Sequence, residues 1–216
     1  TVGGHVIHLL DQWADEYERR LGMRLDVESV LVRRLEAKRA FPIASELLST
    51  DPYAVIDGKD IVVELIGGVE PAFDYVMAAL RNGSAVVTGN KALIASRGSE
   101  LFEAARQANT RLYFEAAVAG AIPVIRALSG SLRGDRVRQI AGVVNGTTNF
   151  ILDAMTTRGA DYNEALTQAQ ELGFAEADPS ADVEGYDASA KCAIMSSLSF
   201  GRWVSVDSVP RQGITT

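Results

Sequence analysis

Between residues 61 and 114, three short β-branched runs are separated by two stretches of helical periodicity. The runs are Ile61-Val62-Val63-Glu64-Leu65-Ile66, Ser84-Ala85-Val86-Val87-Thr88 and Arg111–Phe114. The first stops at Gly67-Gly68, and Glu70-Pro71 opens a helix through about Leu80, with proline suited to a first turn. Asn82-Gly83 turns the chain into the second run, and a helix from about Lys91 to Ala108 leads to the third. Strands joined by helices of this length must cross over and pair in parallel. The pattern therefore predicts βαβ units and a mostly parallel sheet covered on both faces.

The flanks extend this reading. The first twenty residues form an amphipathic helix, with Val2, Val6, Leu9, Leu10, Trp13 and Tyr17 at three- and four-residue spacing. Leu25–Val32 alternates as a strand should, whereas residues 33–60 are polar and irregular, with Pro42, Pro52 and the turn signal Asp57-Gly58. A parallel α/β domain that opens on a helix lacks its central first strand, so the chain reads as a piece of something longer. After Pro123 the character changes. Val137–Val144 looks like a longer strand ending at Asn145-Gly146, followed by helices near 148–157 and 162–172, an acidic loop at 175–186 and a helix at about 187–200. The change of domain falls near residues 115–125.

Composition narrows the function. The 216 residues are 47% apolar and 23% charged, as in an ordinary packed chain, and suffice for one large domain or two small ones. No apolar run approaches the roughly 20 residues of a membrane-spanning helix, and no secretory signal pattern opens the chain. With 21 basic and 28 acidic residues the net charge is −7, which argues against binding to nucleic acid or anionic lipid. A single cysteine, Cys192, excludes an internal disulfide framework and a multi-cysteine zinc site, and a reducing cytoplasm is the simplest setting. A thiol nucleophile at Cys192 would need a base, and the only histidines, His5 and His8, lie on the opening helix.

Several positions carry a chemical reading beside a plain one. Thr1-Val2-Gly3 alone reads first as a helix start with a close-packing glycine, and second as the tail of a G-x-G-x-x-G phosphate loop. The strand ending Val32-Arg33-Arg34, with Lys38 and Arg39 close behind, offers cations to a 2′-phosphate and so favours NADP over NAD; a solvated basic edge would look the same. Lys91 stands where α/β sheets place ligands, between a strand and a helix. From Glu171 to Lys191 there are six acids and one base, and Asp187 and Lys191 share a helix face. That segment could be an exposed ion pair worth about 0.3–0.5 kcal/mol, a divalent-metal loop, or a carboxylate-rich pocket that binds an ammonium group and orients a lysine. A lysine so placed can protonate a carbonyl oxygen that is gaining negative charge.

These segments, in this order, resemble homoserine dehydrogenase. The resemblance rests on Thr1-Val2-Gly3, Val63–Gly68, Thr88–Leu93, Phe114–Pro123, Gly142–Ile151 and Gly173–Lys191, and runs nearly end to end. It implies an α/β fold: a Rossmann-like parallel-sheet NAD(P)-binding domain over 1–119, missing its first strand, and an α+β catalytic and dimerisation domain over 120–216, missing its C-terminal part. The activity implied is reversible, NAD(P)-dependent reduction of L-aspartate 4-semialdehyde to L-homoserine, a step toward threonine and methionine.

By similarity, Lys191 exchanges the proton with the carbonyl oxygen. Glu176 and Asp187 hold the substrate's amino group, and Asp182 supports them. Thr1, Val2, Gly3, Gly67 and Gly173 fall along the dinucleotide, Lys91 lies near both nicotinamide and substrate, and Arg33 is the strand-end cation read above for a 2′-phosphate. Glu115, Val118, Gly120 and Ile122 match a sodium site built mainly from backbone carbonyls, a donor set that suits a group-one cation. The cofactors implied are NADP, with NAD as the alternative, and a sodium ion; a cytoplasmic homodimer is implied too. Two rivals stay open: a related two-domain dinucleotide oxidoreductase acting on another amino or semialdehyde acid, and a catalytically silent nucleotide- or calcium-binding module.

Overall fold

The computed structural model describes residues 2–215, which form two compact units. The first holds the chain up to Ile66, then Glu70–Thr88 and Leu101–Tyr113. The second holds Gly67–Val69, Gly89–Glu100 and the chain from Phe114 onward. The expected division at 119/120 lies six residues past the point where the chain finally leaves the first unit, and the second unit also takes the two segments that follow Ile66 and Thr88.

In the first unit the expected opening helix is two helices, α1 (Val2–Gln12) and α2 (Ala14–Leu21), separated by Trp13, whose ψ of 19° leaves the helical range. No side chain of α1 is fully buried, and His5 and His8 pack on the ring of Phe41. Of the strand expected at 25–32, only β1 (Val30–Leu31) enters a ladder, because its parallel partner β2 (Leu48–Ser49) is two residues long. The stretch expected to be irregular also contains α3 (Pro52–Ile56). Asp51 caps it by accepting from the Tyr53 and Ala54 amides at 2.9 and 3.2 Å, and Pro52 occupies the first turn.

The predicted βαβ core is present as β3 (Ile61–Glu64), α4 (Ala72–Arg81), β4 (Ala85–Thr88), α5 (Lys91–Gln107) and β5 (Leu112–Tyr113). The strands run in parallel in the order β3-β4-β5, with Val62 beside Val86 and Val86 beside Leu112. Helix α4 packs on β3 and β4 and completely buries Ala72, Val76, Ala79 and Leu80. Cover is one-sided among the described residues. Val86, Thr88 and Leu112 are buried, whereas Ile61, Val63, Val87 and Tyr113 on the opposite pleat are 39–51% exposed. The expectation of a sheet covered on both faces is corrected to that extent. Glu64 is buried at the end of β3, where its carboxylate accepts the Ile66 amide at 2.7 Å and the Thr88 hydroxyl at 2.5 Å.

The second unit is helical among the described residues. A tight turn at Glu115–Ala117 leads to α6 (Val124–Arg126) and a wider helical turn at Ala127–Ser131. Then come α7 (Gly146–Arg158), α8 (Tyr162–Glu171), α9 (Ser180–Val183) and α10 (Tyr186–Phe200). The strand expected at Val137–Val144 is not there. That segment has the alternation of a strand but no neighbour to complete a ladder among the described residues, and Val143 is 77% exposed. Ile151 and Ala154 of α7 meet Ala165 and Ala169 of α8, with Ala175 and Val183 closing the cluster. The small residues on α8 let the two helices approach closely. No helix among the described residues is long and apolar enough to cross a membrane.

Candidate active site

An open cleft of about 710 Å³ lies in the second unit. Its wall is assembled from the segments that follow β3, β4 and β5 in the chain (Gly67, Gly89–Ala92 and the 116–122 turn), from Val143–Gly146 ahead of α7, and from one face of α10. A volume of this order suits a small-molecule site.

Two caps and one helix start aim the polar groups. Asn90 is buried, accepts the Leu93 amide at 3.1 Å to cap α5, and donates to the Gly68 carbonyl at 2.6 Å. This places Lys91 at the first position of the helix and fixes the Gly67-Gly68 turn, where φ values of +82° and +72° require residues without a Cβ. Asn145 caps α7 through the Thr148 amide at 2.8 Å. Asp187 lies in the first turn of α10, where the helix dipole favours an anion, and Lys191 follows one turn later on the same face.

These groups converge on Asp187, whose side chain is 9% exposed. Lys91 donates to Oδ1. Lys191 donates to Oδ2 at 2.6 Å, and its ammonium also reaches the Val144 carbonyl at 2.5 Å. The Asn145 amide donates to the same Oδ2 at 2.9 Å and to Oδ1 of Asp182 at 2.6 Å. Two carboxylates and two ammonium groups thus balance. Burial pushes the Asp187 carboxyl up, but hydrogen bonds from Lys191, Lys91 and Asn145, with the Lys91 charge, outweigh it and hold the group below the usual carboxylate range. The result is an ammonium group fixed on the cleft wall by an anion that stays ionised.

Of the residues singled out from the sequence, Gly67, Lys91, Gly120, Ile122, Asp187 and Lys191 line the cleft. Asp182 is half-buried and joins through Asn145. Glu176 is exposed and outside the lining; its backbone carbonyl accepts from the Gln170 side chain at 3.1 Å. Gly173 ends α8 in an exposed turn at φ +76°, and Arg33 is exposed after β1. Val2 and Gly3 begin α1, while Thr1 lies outside the described residues.

Glu115 is half-buried and accepts the Ile125 and Arg126 amides at 3.0 and 2.8 Å. Val118 is buried, and Ala119 and Gly120 both have positive φ. Carboxylate and carbonyl oxygens are the hard donors a sodium ion takes, but both Glu115 oxygens and the Ile122 carbonyl already accept backbone amides here. Among the described residues no group of three or more His, Cys, Asp or Glu side chains converges as a metal site, so the acidic loop gives the divalent-metal reading no support.

Asn145 and Asn90 were not singled out from the sequence. Asn145-Gly146 reads as a turn, which hides its side chain, and the signal for Asn90 was an N-cap residue directly before a helix.

Parallel strands that run into a glycine turn and a helix start follow the pattern of the dinucleotide-binding class of α/β domains. The chain belongs to the homoserine dehydrogenase family. The family model for the homoserine dehydrogenase NAD-binding domain matches residues 1–115, and that for homoserine dehydrogenase matches residues 123–216. The chain is 50% identical to the homoserine dehydrogenase of Corynebacterium glutamicum over its whole length and spans 48% of that protein. It superposes on a crystal structure of a homoserine dehydrogenase from Thiobacillus denitrificans with a TM-score of 0.90 and 45% identity, covering 99% of this chain and 50% of that one. A hyperthermophilic archaeal homoserine dehydrogenase in complex with NADPH matches 76% of this chain and 54% of its own, at TM-score 0.68 and 32% identity. The chain therefore spans about half the length of its relatives.

Proposed function

We propose that the protein carrying this chain interconverts L-aspartate 4-semialdehyde and L-homoserine with a nicotinamide dinucleotide, in the biosynthesis of threonine and methionine. The observation that carries the reading is the Lys91–Asp187–Lys191 bridge on the cleft wall, in a chain of this family. The division of labour, dinucleotide binding over 1–119 and substrate chemistry over 120–216, is supported by family models over 1–115 and 123–216.

The nicotinamide supplies or accepts a hydride when bound. Reduction leaves negative charge on the substrate's carbonyl oxygen, and an ammonium group prepositioned in a cleft stabilises that charge without reorganising. Lys191 has both requirements: its Nζ is held by Asp187 and the Val144 carbonyl, and it faces the cleft. From there it gives its proton to the oxygen in reduction and takes it back in oxidation. Lys91, more exposed at 32% against 16% for Lys191, holds the other carboxylate oxygen and keeps Asp187 aimed. Asp187 and Glu176 receive the substrate's amino group, with Asp182 behind them; for Glu176 the support is the family resemblance. The Gly67-Gly68 turn and Lys91 fit a dinucleotide, and Arg33 offers a cation to a 2′-phosphate. NADP is the preferred partner, supported by that basic edge and by the relative solved with NADPH. Roles for Thr1, Val2, Gly3 and Gly173 along the dinucleotide, the sodium site, the homodimer and the cytoplasmic setting rest on the resemblance.

Lys191→Ala in the full-length protein tests the reading. With L-aspartate 4-semialdehyde and NADPH, turnover should fall at least about 100-fold, the scale of a lost general acid, with NADPH affinity little changed. Turnover within a few-fold of the unsubstituted protein would overturn it.

A further inference from the structure

The amide of Asn145 stands where the two carboxylates of the site meet. The side chain is buried, and both its ends are committed. Oδ1 accepts from the Thr148 amide at 2.8 Å and the Thr148 hydroxyl at 2.9 Å. A backbone N–H can only donate, so this assigns the oxygen and leaves the nitrogen facing the acids. The two hydrogens on Nδ2 then go one each to Asp182, 2.6 Å away on α9, and Asp187, 2.9 Å away on α10. Without that donor the two carboxylates would repel each other across the gap it fills, and Asp187 would lose one of the three donors that hold it.

We infer that Asn145 is a positioning residue for the dehydrogenase site: its amide separates and clamps Asp182 and Asp187 as two anions, and through Asp187 it fixes the Lys191 ammonium. The inference deepens the proposed function and rests on it. The charged groups around the amide are Asp182 on α9, Asp187 and Lys191 on α10, and Lys91 on α5. Capping α7 is the competing role, and substitution separates the two. Asn145→Asp keeps the shape and a good cap but replaces the donor with a third carboxylate. Asn145→Ser keeps a good cap, cannot bridge, and adds no charge.

Both variants are made in the full-length protein and assayed with L-homoserine and the nicotinamide dinucleotide across pH. Both keep the α7 cap, so both should stay folded at the assay temperature. KM for L-homoserine should rise about 10- to 100-fold, as expected for a lost hydrogen bond to a charged group. For Asn145→Asp, the ratio of its kcat/KM to that of the unsubstituted protein should climb as pH falls, because a proton shared by the three carboxylates restores a bridging donor. For Asn145→Ser the ratio should stay flat. Unchanged KM in either variant, or a loss in Asn145→Asp that ignores pH, would overturn the inference. If Asn145→Asp does not fold, the KM of Asn145→Ser decides. An unsubstituted protein that does not oxidise L-homoserine rejects the underlying reading; unchanged variants beside an active parent reject only the role of Asn145.

Discussion

Asp187 shows how a single carboxylate can be made dependable. It is nearly buried, which alone would favour its neutral form, yet Lys191, Lys91 and Asn145 all donate to it and hold its titration below the ordinary carboxylate range. A carboxylate whose folded-state pKa is depressed binds fewer protons folded than unfolded. It therefore contributes stability at any pH above its unfolded value of about 3.9, and that contribution is lost as pH falls through the lower folded value. Asp187→Asn removes it throughout. The stability gap between the unsubstituted protein and this variant should be constant from neutral pH down to about 4 and shrink below that, as read by chemical denaturation at each pH. A gap that widens in acid would contradict the network. The sequence disclosed part of this centre, because Asp187 and Lys191 lie four apart on one helix. The other half was hidden: Lys91 is 96 residues away from Asp187 and Asn145 is 42 away, and only the tertiary fold brings them together.

At the level of elements, the packing of α5 against the 201–204 segment makes a sharp demand on one residue. A Cβ on Gly98 would stand 2.1 Å from a ring carbon of Trp203, far inside contact distance, so the half-buried indole would have to shift. Gly98→Ala should destabilise the protein by about 1–3 kcal/mol, the cost of overpacking, despite alanine's better helix propensity. Thermal unfolding checks this, and a variant as stable as its parent would show that Trp203 does not pack there. The long helices of the second unit were legible within one or two residues because their ends carry strong signals, as at Asp161 before α8. Short elements were not. The two-residue strand β2 has no periodicity to detect, while α3 announced itself only through Asp51-Pro52. Val137–Val144 has a strand's alternation but no ladder, since pairing depends on a neighbour that the segment's own sequence cannot reveal.

Over the whole molecule, the cleft and the charged network around Asp187 lie in one unit. Each strand of the three-stranded sheet belongs to the first unit, yet a residue one to three positions past its end (Gly67, Gly89, Ala116) lines the cleft of the second. The sheet's role is thus to deliver loops by covalent connection, and the buried Glu64, bonded to Ile66 and Thr88, fixes two of the strand ends from which they start. Parallel order and family were legible from chain pattern and motif. Exposure of Ile61, Val63, Val87 and Tyr113 was not, because alternation says which residues share a face and nothing about what covers it. The central claim is that the Lys191 ammonium meets the oxygen that gains charge. A crystal structure of the full-length protein with L-homoserine and oxidised NADP bound tests it most directly. The substrate hydroxyl should lie about 2.6–3.2 Å from Lys191 Nζ, with Asp187 still bonded to that nitrogen; a hydroxyl held by another group, with Lys191 turned to solvent, would contradict it.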